Sequence, residues 1–490
     1  MISRDNLSLS KIIRRIVCIC QRNDSPREVL FGGVSQTREI SPLGRGIIYG
    51  LPALPLALIG VCFFVYLPKF YADELGLSLY ALGAIIMASR VLDGVLDPLI
   101  GAASDRTCNR MGRRRPWLLF SVLPFALVNY LLLVPPALAP AELTLWVGVL
   151  SILFFIFWTM LAVPYEAWGL ELSRDYDRRT ALLSVRDGFL ILGTLLAALL
   201  PESISYLQGS SAIGETLRSL VWIHTTLLLT CVVLCCATIP EREAAERAVK
   251  APSIFSACKE AFSNKAFRIL LLAYLLGGFG SALPATLIFF YVEYVLRSAN
   301  AGVYLLIYFA VGFICVPLWV KLAKLTDKKR AWIAALIVNT GAFSGVMLLG
   351  AGDEVWYGVL VAVSGIGYGA GMVLPSSMQA DVMDLDELDH GARREGQFVG
   401  LWLIARKLAA AFGAGIALPV LSWWGYVPNS EQSEGALWGL TFLYAGVPCI
   451  CYAAAITAAC FYPLSRERHA EVAAKLALRR DASSTVEVLE

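Results

Sequence analysis

Apolar runs long enough to cross a lipid bilayer recur along this chain from residue 46 to residue 462. A helix needs about 20 apolar residues to span the hydrocarbon core of a membrane. Only 16% of the residues are charged and 58% are hydrophobic, whereas about a quarter of the residues in a soluble domain are charged. The pattern predicts an all-α membrane protein with twelve transmembrane helices, at 46–69, 79–104, 116–136, 144–166, 181–203, 217–239, 267–293, 299–323, 331–350, 355–380, 398–424 and 436–462.

Lysine and arginine residues concentrate in alternate connections between the predicted helices. The connections after the second, fourth and eighth helices carry most of them, including Arg113, Arg178 and Lys328. Because cytoplasmic loops are enriched in basic residues, this pattern predicts a multi-pass protein of the cell membrane with both termini in the cytoplasm. The net charge of +3 follows from this topology and gives no reason to expect a nucleic-acid partner.

A charged connection at 240–265 separates six predicted helices from six. We therefore divide the chain into an N-terminal bundle at 41–239 and a C-terminal bundle at 266–463, with a cytoplasmic extension at 1–40 and a cytoplasmic tail at 464–490. The halves echo each other at two pairs of positions, Asp105 with Asp327 and Pro164 with Pro375. A transporter built from two repeats, with its solute site between them near the membrane midplane, explains this symmetry.

Three charged side chains interrupt the second apolar run: Arg90, Asp93 and Asp97. Their spacing aligns them on one helical face, and an ionisable group at the bilayer centre costs roughly 2.5–3.5 kcal/mol on insertion scales. Two carboxylates one turn apart repel each other in a low dielectric, so the pair should hold one proton or attract a cation. Lys407, in the eleventh run, could neutralise the pair when no cation is bound. The alternative is a permanent salt bridge between the halves.

The fourth predicted helix ends in a cluster of aromatic and charged residues, and the fifth begins with two more charges. Aromatic rings and polar groups around a cavity suit a sugar, which has an apolar face and polar hydroxyls. We predict a solute site from Arg90, Tyr165, Glu166, Trp168, Arg186 and Asp187. The charges could instead form a cytoplasmic ion-pair cluster with the connection that follows the fourth helix.

The connection after the second helix combines a carboxylate with several arginines. Charge pairs at a bundle interface can hold one side of a transporter closed and release it in the other state. We predict a gate from Gly101, Asp105, Arg106, Gly112, Arg113 and Arg114, with Asp327 as the counterpart in the second half. The alternative is that these residues serve only to set the topology.

Catalytic and metal-binding motifs are missing from the sequence. The twelve cysteines form no CxxC pair and the three histidines are widely separated, so we expect no metal site beyond a possible Na⁺ at the two carboxylates. The glycine run at 365–371 lies inside an apolar span without a preceding strand, which favours close helix packing over a nucleotide loop. Without a Walker motif, transport would draw its energy from an ion gradient, and we expect no enzyme activity.

Four motifs give the chain a family resemblance along roughly residues 40–465. They are the stripe from Arg90 to Pro98, GRRRPW at 112–117, VPYEAWGLEL at 163–172 and the block from Asp381 to Lys407. Together they resemble the glycoside-pentoside-hexuronide:cation symporter family, the melibiose-permease-like branch of the major facilitator superfamily. The resemblance implies a twelve-helix fold of two six-helix bundles.

The resemblance also implies roles for individual residues. In that family two acids of helix 2 bind Na⁺, Li⁺ or H⁺, with a threonine of helix 4 and a lysine of helix 11 beside them. These positions correspond here to Asp93, Asp97, Thr159 and Lys407, and the arginine of the family's sugar site corresponds to Arg186.

The sequence departs from the melibiose-type site at several positions. The two aspartates that bind the sugar are replaced in the Gly50–Leu51 region and at Ala162, the aromatic residue that follows is Glu166, and the asparagine that assists sodium is Leu96. A galactoside is therefore not the solute we predict. Because Na⁺ needs several oxygen ligands while a proton needs one carboxylate, we expect H⁺ coupling rather than Na⁺ coupling.

The sequence as a whole predicts a secondary transporter that couples H⁺, or else Na⁺, to symport of a sugar or glycoside by alternating access. A lysolipid or another amphipathic solute is the alternative ligand. A membrane sensor or enzyme is the alternative of a different class. We expect a monomer among membrane lipids, with no cofactor besides the coupling ion.

Overall fold

The computed structural model of the chain describes residues 42–107, 109, 111–172, 176–209, 212–239, 241, 262–390 and 395–487, and within these residues all regular structure is helical. The helices of the first half are α1 (Pro42–Gly50, Ala53–Val61 and Leu67–Lys69, with π-helical turns at Cys62–Tyr66 and Phe70–Glu74), α2 (Leu79–Asp105), α3 (Arg115–Leu133), α4 (Pro140–Glu171), α5 (Tyr176–Gln208) and α6 (Ile213–Thr238).

The second half repeats this arrangement and adds one helix. Its members are α7 (Lys265–Phe290, continued by a π-helical turn at Tyr291–Val295), α8 (Ala301–Leu325), α9 (Lys328–Val346), α10 (Glu354–His390), α11 (Glu395–Trp423), α12 (Glu434–Thr441 and Val447–Cys460, joined by a π-helical turn at Phe442–Gly446) and α13 (Arg466–Glu487).

Eleven of the described helices are long and apolar enough to cross a membrane. The ninth predicted helix, 331–350, is present as α9 but is not among these eleven. Its first turn carries Lys328, Lys329 and Arg330, which lower the hydropathy of a helix of only 19 residues. The prediction of twelve helices is confirmed, while α9 depends on its contacts with α10 and α12 more than on its own hydropathy.

Polar side chains begin several helices where the sequence leaves an apolar run. The Asn264 side chain accepts a hydrogen bond from the Phe267 backbone N–H (3.1 Å) at the start of α7, and Ser433 accepts one from Ala436 (3.2 Å) at the start of α12. Such caps satisfy backbone donors that have no partner within the helix.

The two halves use the same pairings. In the first half α1 packs on α5, α2 on α4, α3 on α4 and α3 on α6; the second half repeats these as α7 with α11, α8 with α10, α9 with α10 and α9 with α12. Between the halves, α2 packs against α11 and α5 against α8, which are equivalent pairs under the same symmetry. The fold therefore consists of two six-helix bundles that meet along these pairs.

Residues outside the bundles are described in part. The extension at 1–40 and most of the connection at 240–265 lie outside the described residues, so the division of the chain into these segments remains a prediction. Within the tail at 464–490, α13 packs on α10, where His469 Nε2 lies 2.9 Å from Asp384 Oδ2. At the start of α13, the Arg466 N–H donates to Asp327 Oδ2 (3.1 Å), which precedes α9.

The glycine run in α10 lets this helix approach α8 closely. A Cβ atom at Gly365 would lie 2.7 Å from the Tyr308 carbonyl oxygen, and one at Gly369 would collide with the backbone of Gly312. A Cβ at Gly371 would meet nothing within 4 Å. The close packing of α8 and α10 therefore requires glycine at positions 365 and 369 but not at position 371.

We expect Gly369→Ala to lower the thermal midpoint of the detergent-purified protein, because overpacking a close helix contact costs about 1–3 kcal/mol. Gly371→Ala is the matched control and should leave the midpoint unchanged. Equal midpoints for the two variants would show that the contact between α8 and α10 does not depend on this glycine.

Candidate functional site

A fully buried carboxylate, that of Asp93 in α2, is the centre of the candidate site. The Thr159 hydroxyl of α4 donates to Asp93 Oδ1 (2.6 Å), and Arg90 Nη1 donates to Oδ2 (3.1 Å). Lys407 Nζ, from α11, lies 2.9 Å from Oδ2. Two bundles therefore share one buried carboxylate.

The second carboxylate of the stripe binds the same lysine. Lys407 Nζ lies 2.7 Å from both Oδ1 and Oδ2 of Asp97, one turn further along α2. Both side chains are largely buried, at 16% and 19% exposure for Lys407 and Asp97 respectively. The structure thus brings together the four residues predicted for cation binding, with the ammonium group between the two carboxylates. We name Asp93, Asp97, Thr159 and Lys407 the carboxylate–lysine centre.

Apolar and aromatic side chains surround the carboxylate–lysine centre. The Arg90 guanidinium lies over the rings of Phe64 and Phe155, at 4.0 and 5.1 Å from their centroids, an arrangement that allows cation–π attraction. Leu96 is buried in a small cluster with Ile100 and Met160. This face of α2 therefore offers the centre no further oxygen ligand.

A second buried ion pair lies at the end of the bundles opposite to the basic connections, which we call the opposite end. Lys69 of α1 pairs with Asp73 one turn later and with Glu293 of α7. The Lys69 ammonium also lies 4.6 Å from the Tyr294 ring centroid. Asp73 and Glu293 both occur in π-helical turns, which are frequent at functional sites.

Further residues of the second half bind the same aspartate. The hydroxyls of Tyr294 and Tyr426 each donate to the Asp73 carboxylate at 3.1 Å, and the Asn429 amide donates to its carbonyl oxygen. We call Lys69, Asp73, Glu293, Tyr294, Tyr426 and Asn429 the opposite-end network. None of these residues is among the sites predicted from the sequence, although the spacing of four between Lys69 and Asp73 within an apolar run could have identified the pair.

The predicted gate residues form a compact cluster at the basic end. The Arg114 guanidinium pairs with Asp105 and with Glu171 (2.7 Å), and Arg113 Nη2 lies 3.0 Å from Glu171. Burial alone would lower the pKa of Arg114, but its hydrogen bonds and attraction to Glu171 and Asp105 raise it above its usual value. All of these side chains belong to the first half, so the cluster ties α2, α3 and α4 together.

The backbone conformation at position 112 and the space around it require a glycine. Its φ is +105°, which favours glycine, and a Cβ atom would collide with the Glu241 carboxylate. The turn directs the N–H groups of Arg113 and Arg114 to Glu241 Oε1 at 2.6 and 2.7 Å, and that of Arg115 to Oε2 at 3.2 Å. The carboxylate thereby caps the positive end of α3, a contact that sequence reasoning missed.

The remaining predicted gate residues are more loosely placed. Arg106 is exposed and forms no ion pair with the described residues. Gly101 would tolerate a Cβ, whose nearest neighbour would be Val163 Cγ1 at 3.7 Å. Asp327 caps α9 by accepting from the Lys329 N–H at 2.8 Å and also accepts from Arg466. Asp327 thus acts within the second half.

The aromatic residues predicted to contact solute are packed inside the first bundle. The Tyr165 hydroxyl donates to the Tyr49 carbonyl (2.6 Å), the Tyr49 hydroxyl donates back to the Tyr165 carbonyl (3.1 Å), and their rings stack at 4.9 Å. Trp168 is also buried, beneath the Arg115 guanidinium. A Cβ at Gly169 would collide with the Tyr49 hydroxyl, so this motif joins α4 to α1.

Of the charged residues predicted to contact solute, Arg90 belongs to the buried shell around Asp93, and Arg186 is partly buried. Arg186 donates to Asp187 Oδ1 from Nε (3.0 Å) and from Nη2 (2.7 Å), while Asp187 and Glu166 are exposed. A Cβ at Gly50 would lie 3.2 Å from the Arg186 Cα. The close approach of α1 to α5 therefore leaves little room for an acidic side chain at position 50.

A large cavity opens mainly in the second half, and its lining includes none of the six residues predicted for the solute. Its volume is about 720 Å³, within the range of small-molecule sites. One wall is the stacked pair of Tyr274 and Trp402, with ring centroids 4.1 Å apart. The other residues used below are Val65, Asn339, Ser364, Gln379 and Arg406.

Two buried polar atoms in the cavity wall have no hydrogen-bond partner within the described part of the chain. They are Asn339 Oδ1 of α9 and Ser364 Oγ of α10, on residues only 8% and 5% exposed. Because an unpaired buried polar atom costs about 1–3 kcal/mol, hydrogen bonds from a solute to these two atoms would be favourable. Among the described residues, no group of three or more His, Cys, Asp or Glu could hold a metal ion.

Comparisons with known proteins agree with this architecture. A family described as "MFS/sugar transport protein" matches residues 48–466. The chain is 27% identical to an uncharacterized symporter of Synechocystis sp., over 89% of this chain and 96% of that protein. It is 23% identical to an isoprimeverose transporter of Lactiplantibacillus pentosus, over 82% of this chain and 84% of that one.

A solved structure shows the same fold. It is a bacterial homologue of the human lysosomal transporter Spinster in an inward-facing and unoccupied conformation, with a TM-score of 0.63. The two chains are 14% identical, and the match covers 88% of this chain and 97% of the other.

Lys407→Met should lower the thermal midpoint of the purified protein. Removing one partner of a buried ion pair costs about 3–5 kcal/mol, because the charges left behind lose their compensation. Adding Asp97→Asn to Lys407→Met should recover part of the loss. Lys321→Met, at an exposed position of α8, is the control. A midpoint that Lys407→Met leaves unchanged would show that the ammonium contributes nothing to stability.

Proposed function

Because this chain belongs to the family of MFS/sugar transport proteins, we propose that it is a cation-coupled symporter of a sugar or glycoside. Membership of the family makes the chain a secondary transporter of a small molecule and not an enzyme, and its helices make it a multi-pass membrane protein. One observation carries the proposal of cation coupling: a single lysine pairs with two carboxylates of the opposite bundle.

The carboxylate–lysine centre would work by exchange. When a cation occupies Asp93 and Asp97, it neutralises the carboxylates and removes their attraction for the Lys407 ammonium. The ion pair between α11 and α2 is then broken. When the cation leaves, the lysine returns and neutralises the carboxylates. Thr159 and Arg90 hold Asp93 in position in both states. Such an exchange links cation binding to the contact between the bundles.

H⁺ is the cation that the oxygen count favours. Sodium is bound by several oxygen ligands together, so Na⁺ binding loses more than H⁺ binding does when Leu96 replaces an oxygen-bearing asparagine. Leu96 is buried among apolar side chains on the adjoining turn and adds no oxygen. A proton needs only one carboxylate oxygen, so we propose proton symport, with Na⁺ as the alternative.

A sugar or glycoside fits the cavity of the second half. The stacked rings of Tyr274 and Trp402 offer an apolar face, while Asn339 and Ser364 offer unpaired polar atoms. Val65 of α1 completes the wall from the first half. The relative named as an isoprimeverose transporter supports a sugar solute. Tyr165 and Trp168 could reach solute only by unpacking from α1, whereas Arg186 remains a predicted contact.

The distribution of ion pairs supports an inward-facing arrangement. We propose that the basic end faces the cytoplasm, as the concentration of arginine and lysine there indicates. At the opposite end, the opposite-end network joins α1 to α7, and the Gly302 N–H of α8 donates to Glu202 of α5 (3.0 Å). At the basic end, the described ion pairs lie within one half or the other. The opposite end is therefore closed, and the basic end is free to open.

Asp97→Asn should abolish gradient-driven accumulation of solute in proteoliposomes, because an amide can neither take up a proton nor attract a cation. The measurement is uptake of a labelled panel of sugars, glycosides and lysolipids under imposed proton or sodium gradients. Asp389→Asn, an exposed aspartate at the end of α10, is the matched control.

The panel also separates the alternatives. Uptake that follows the pH gradient alone supports protons, and uptake that requires sodium overturns our choice of ion. Accumulation of lysolipids without any sugar would overturn the proposed solute. Unchanged accumulation by Asp97→Asn would refute the cation site.

Asp73→Asn should open the opposite end, because it weakens the bonds from Lys69, Tyr294 and Tyr426 together. In a variant without the native cysteines, spin labels at Tyr206→Cys and Val355→Cys, both on exposed positions of different halves, report the distance between the bundles. We expect a shift to longer distances by double electron–electron resonance. Glu215→Gln, another carboxylate at the opposite end, should leave the distribution unchanged, and an unchanged distribution in Asp73→Asn would contradict the gate.

A further inference from the structure

The cavity of the second half contains one uncompensated positive charge. Arg406 is the only charged side chain among its described lining residues. Its side chain is exposed and forms no hydrogen bond or ion pair with the described residues. A charged residue within a membrane-spanning helix almost always faces the bundle interior or a water-filled cavity and usually pairs there with a partner of opposite charge.

Neighbouring charges do not supply that partner. The two carboxylates of the carboxylate–lysine centre are already bound by Lys407, with Arg90 as a further partner of Asp93. Arg90 and Arg406 are close enough to repel each other. Asp93 and Asp97 are therefore engaged by Lys407 and Arg90, and Arg406 has no ion-pair partner among the described residues.

The surroundings of Arg406 match the shape of a sugar that carries an acid group. Trp402 precedes it by one helical turn on α11, so the aromatic wall and the guanidinium lie on the same face. Asn339 and Ser364 supply unpaired polar atoms from α9 and α10, and Gln379 adds an amide. A sugar ring on the aromatic wall would have its hydroxyls near these groups and its acid near Arg406.

We propose that the cavity selects an acidic sugar or glycoside, whose carboxylate or sulfonate binds Arg406 through a two-pronged hydrogen bond. This inference rests on the proposed function and adds the chemical class of the solute. A guanidinium is the side chain best suited to a planar acid group, because its parallel N–H donors match the two oxygens.

The test compares matched probes in proteoliposomes under a proton gradient: glucuronic acid against glucose, and methyl glucuronide against methyl glucoside. Wild type should accumulate the acidic member of each pair in preference. Arg406→Gln should reduce uptake of the acidic probes by roughly 10- to 100-fold and leave neutral probes unaffected, since a charged hydrogen bond is lost. Arg406→Lys should retain part of the preference, and Arg218→Gln, at an exposed position of α6, is the control.

The outcomes separate this inference from the proposed function. Gradient-driven uptake of neutral sugars that equals or exceeds uptake of the acidic ones, with Arg406→Gln unchanged, would refute the acidic solute and keep the symporter. A second outcome is uptake of the acidic probes that does not depend on any imposed ion gradient but is reduced by Arg406→Gln. It would support the acidic solute and refute cation coupling. If no acidic probe is accumulated or raises the thermal midpoint more than its neutral counterpart, the inference is wrong.

Discussion

The ammonium group of Lys407 between Asp93 and Asp97 is the contact on which the rest of this structure depends. It joins α11 to α2, the helix pair through which the bundles meet most extensively, at a depth where unpaired charges are costly. The shell around it is fixed by Thr159 and by Arg90. A rigid shell around one exchangeable partner is what distinguishes a switch from a structural salt bridge.

The sequence predicted the features whose residues would cost much free energy in any other environment, such as apolar runs in water or unpaired charges in a membrane. Apolar runs had to be membrane helices, and only α9 departs from the expected hydropathy, because its basic first turn occupies a large part of a short helix. Asp93, Asp97 and Lys407 stood out because charges are rare inside such runs, and the structure brings them together although 310 residues separate Asp97 from Lys407. Thr159 has no such signal of its own and came only from the family resemblance.

Contacts that depend on tertiary packing could not be predicted from the sequence in the same way. Tyr165 and Trp168 resemble solute ligands in sequence because charges surround them, but Tyr165 is bonded to Tyr49, 116 residues away. Nothing in the local pattern specifies that partner. Lys69 illustrates the opposite error: it was not predicted as part of any site, although its pairing with Asp73 and Glu293 buries it between the two halves.

The adjacency of Arg406 and Lys407 on α11 offers a direct route for coupling. In the proposed exchange, a proton on the carboxylates would free the Lys407 charge and raise the positive potential beside the cavity, so an anion at Arg406 would bind more tightly. By thermodynamic reciprocity, the anion raises the affinity for the proton by the same factor. With charges on the order of 10 Å apart and an effective dielectric constant of about 20, the attraction is about 1.7 kcal/mol. That value lies within the range of about 1–3 kcal/mol that is typical of coupled sites, so an acidic solute and the cation could assist each other before any helix moves.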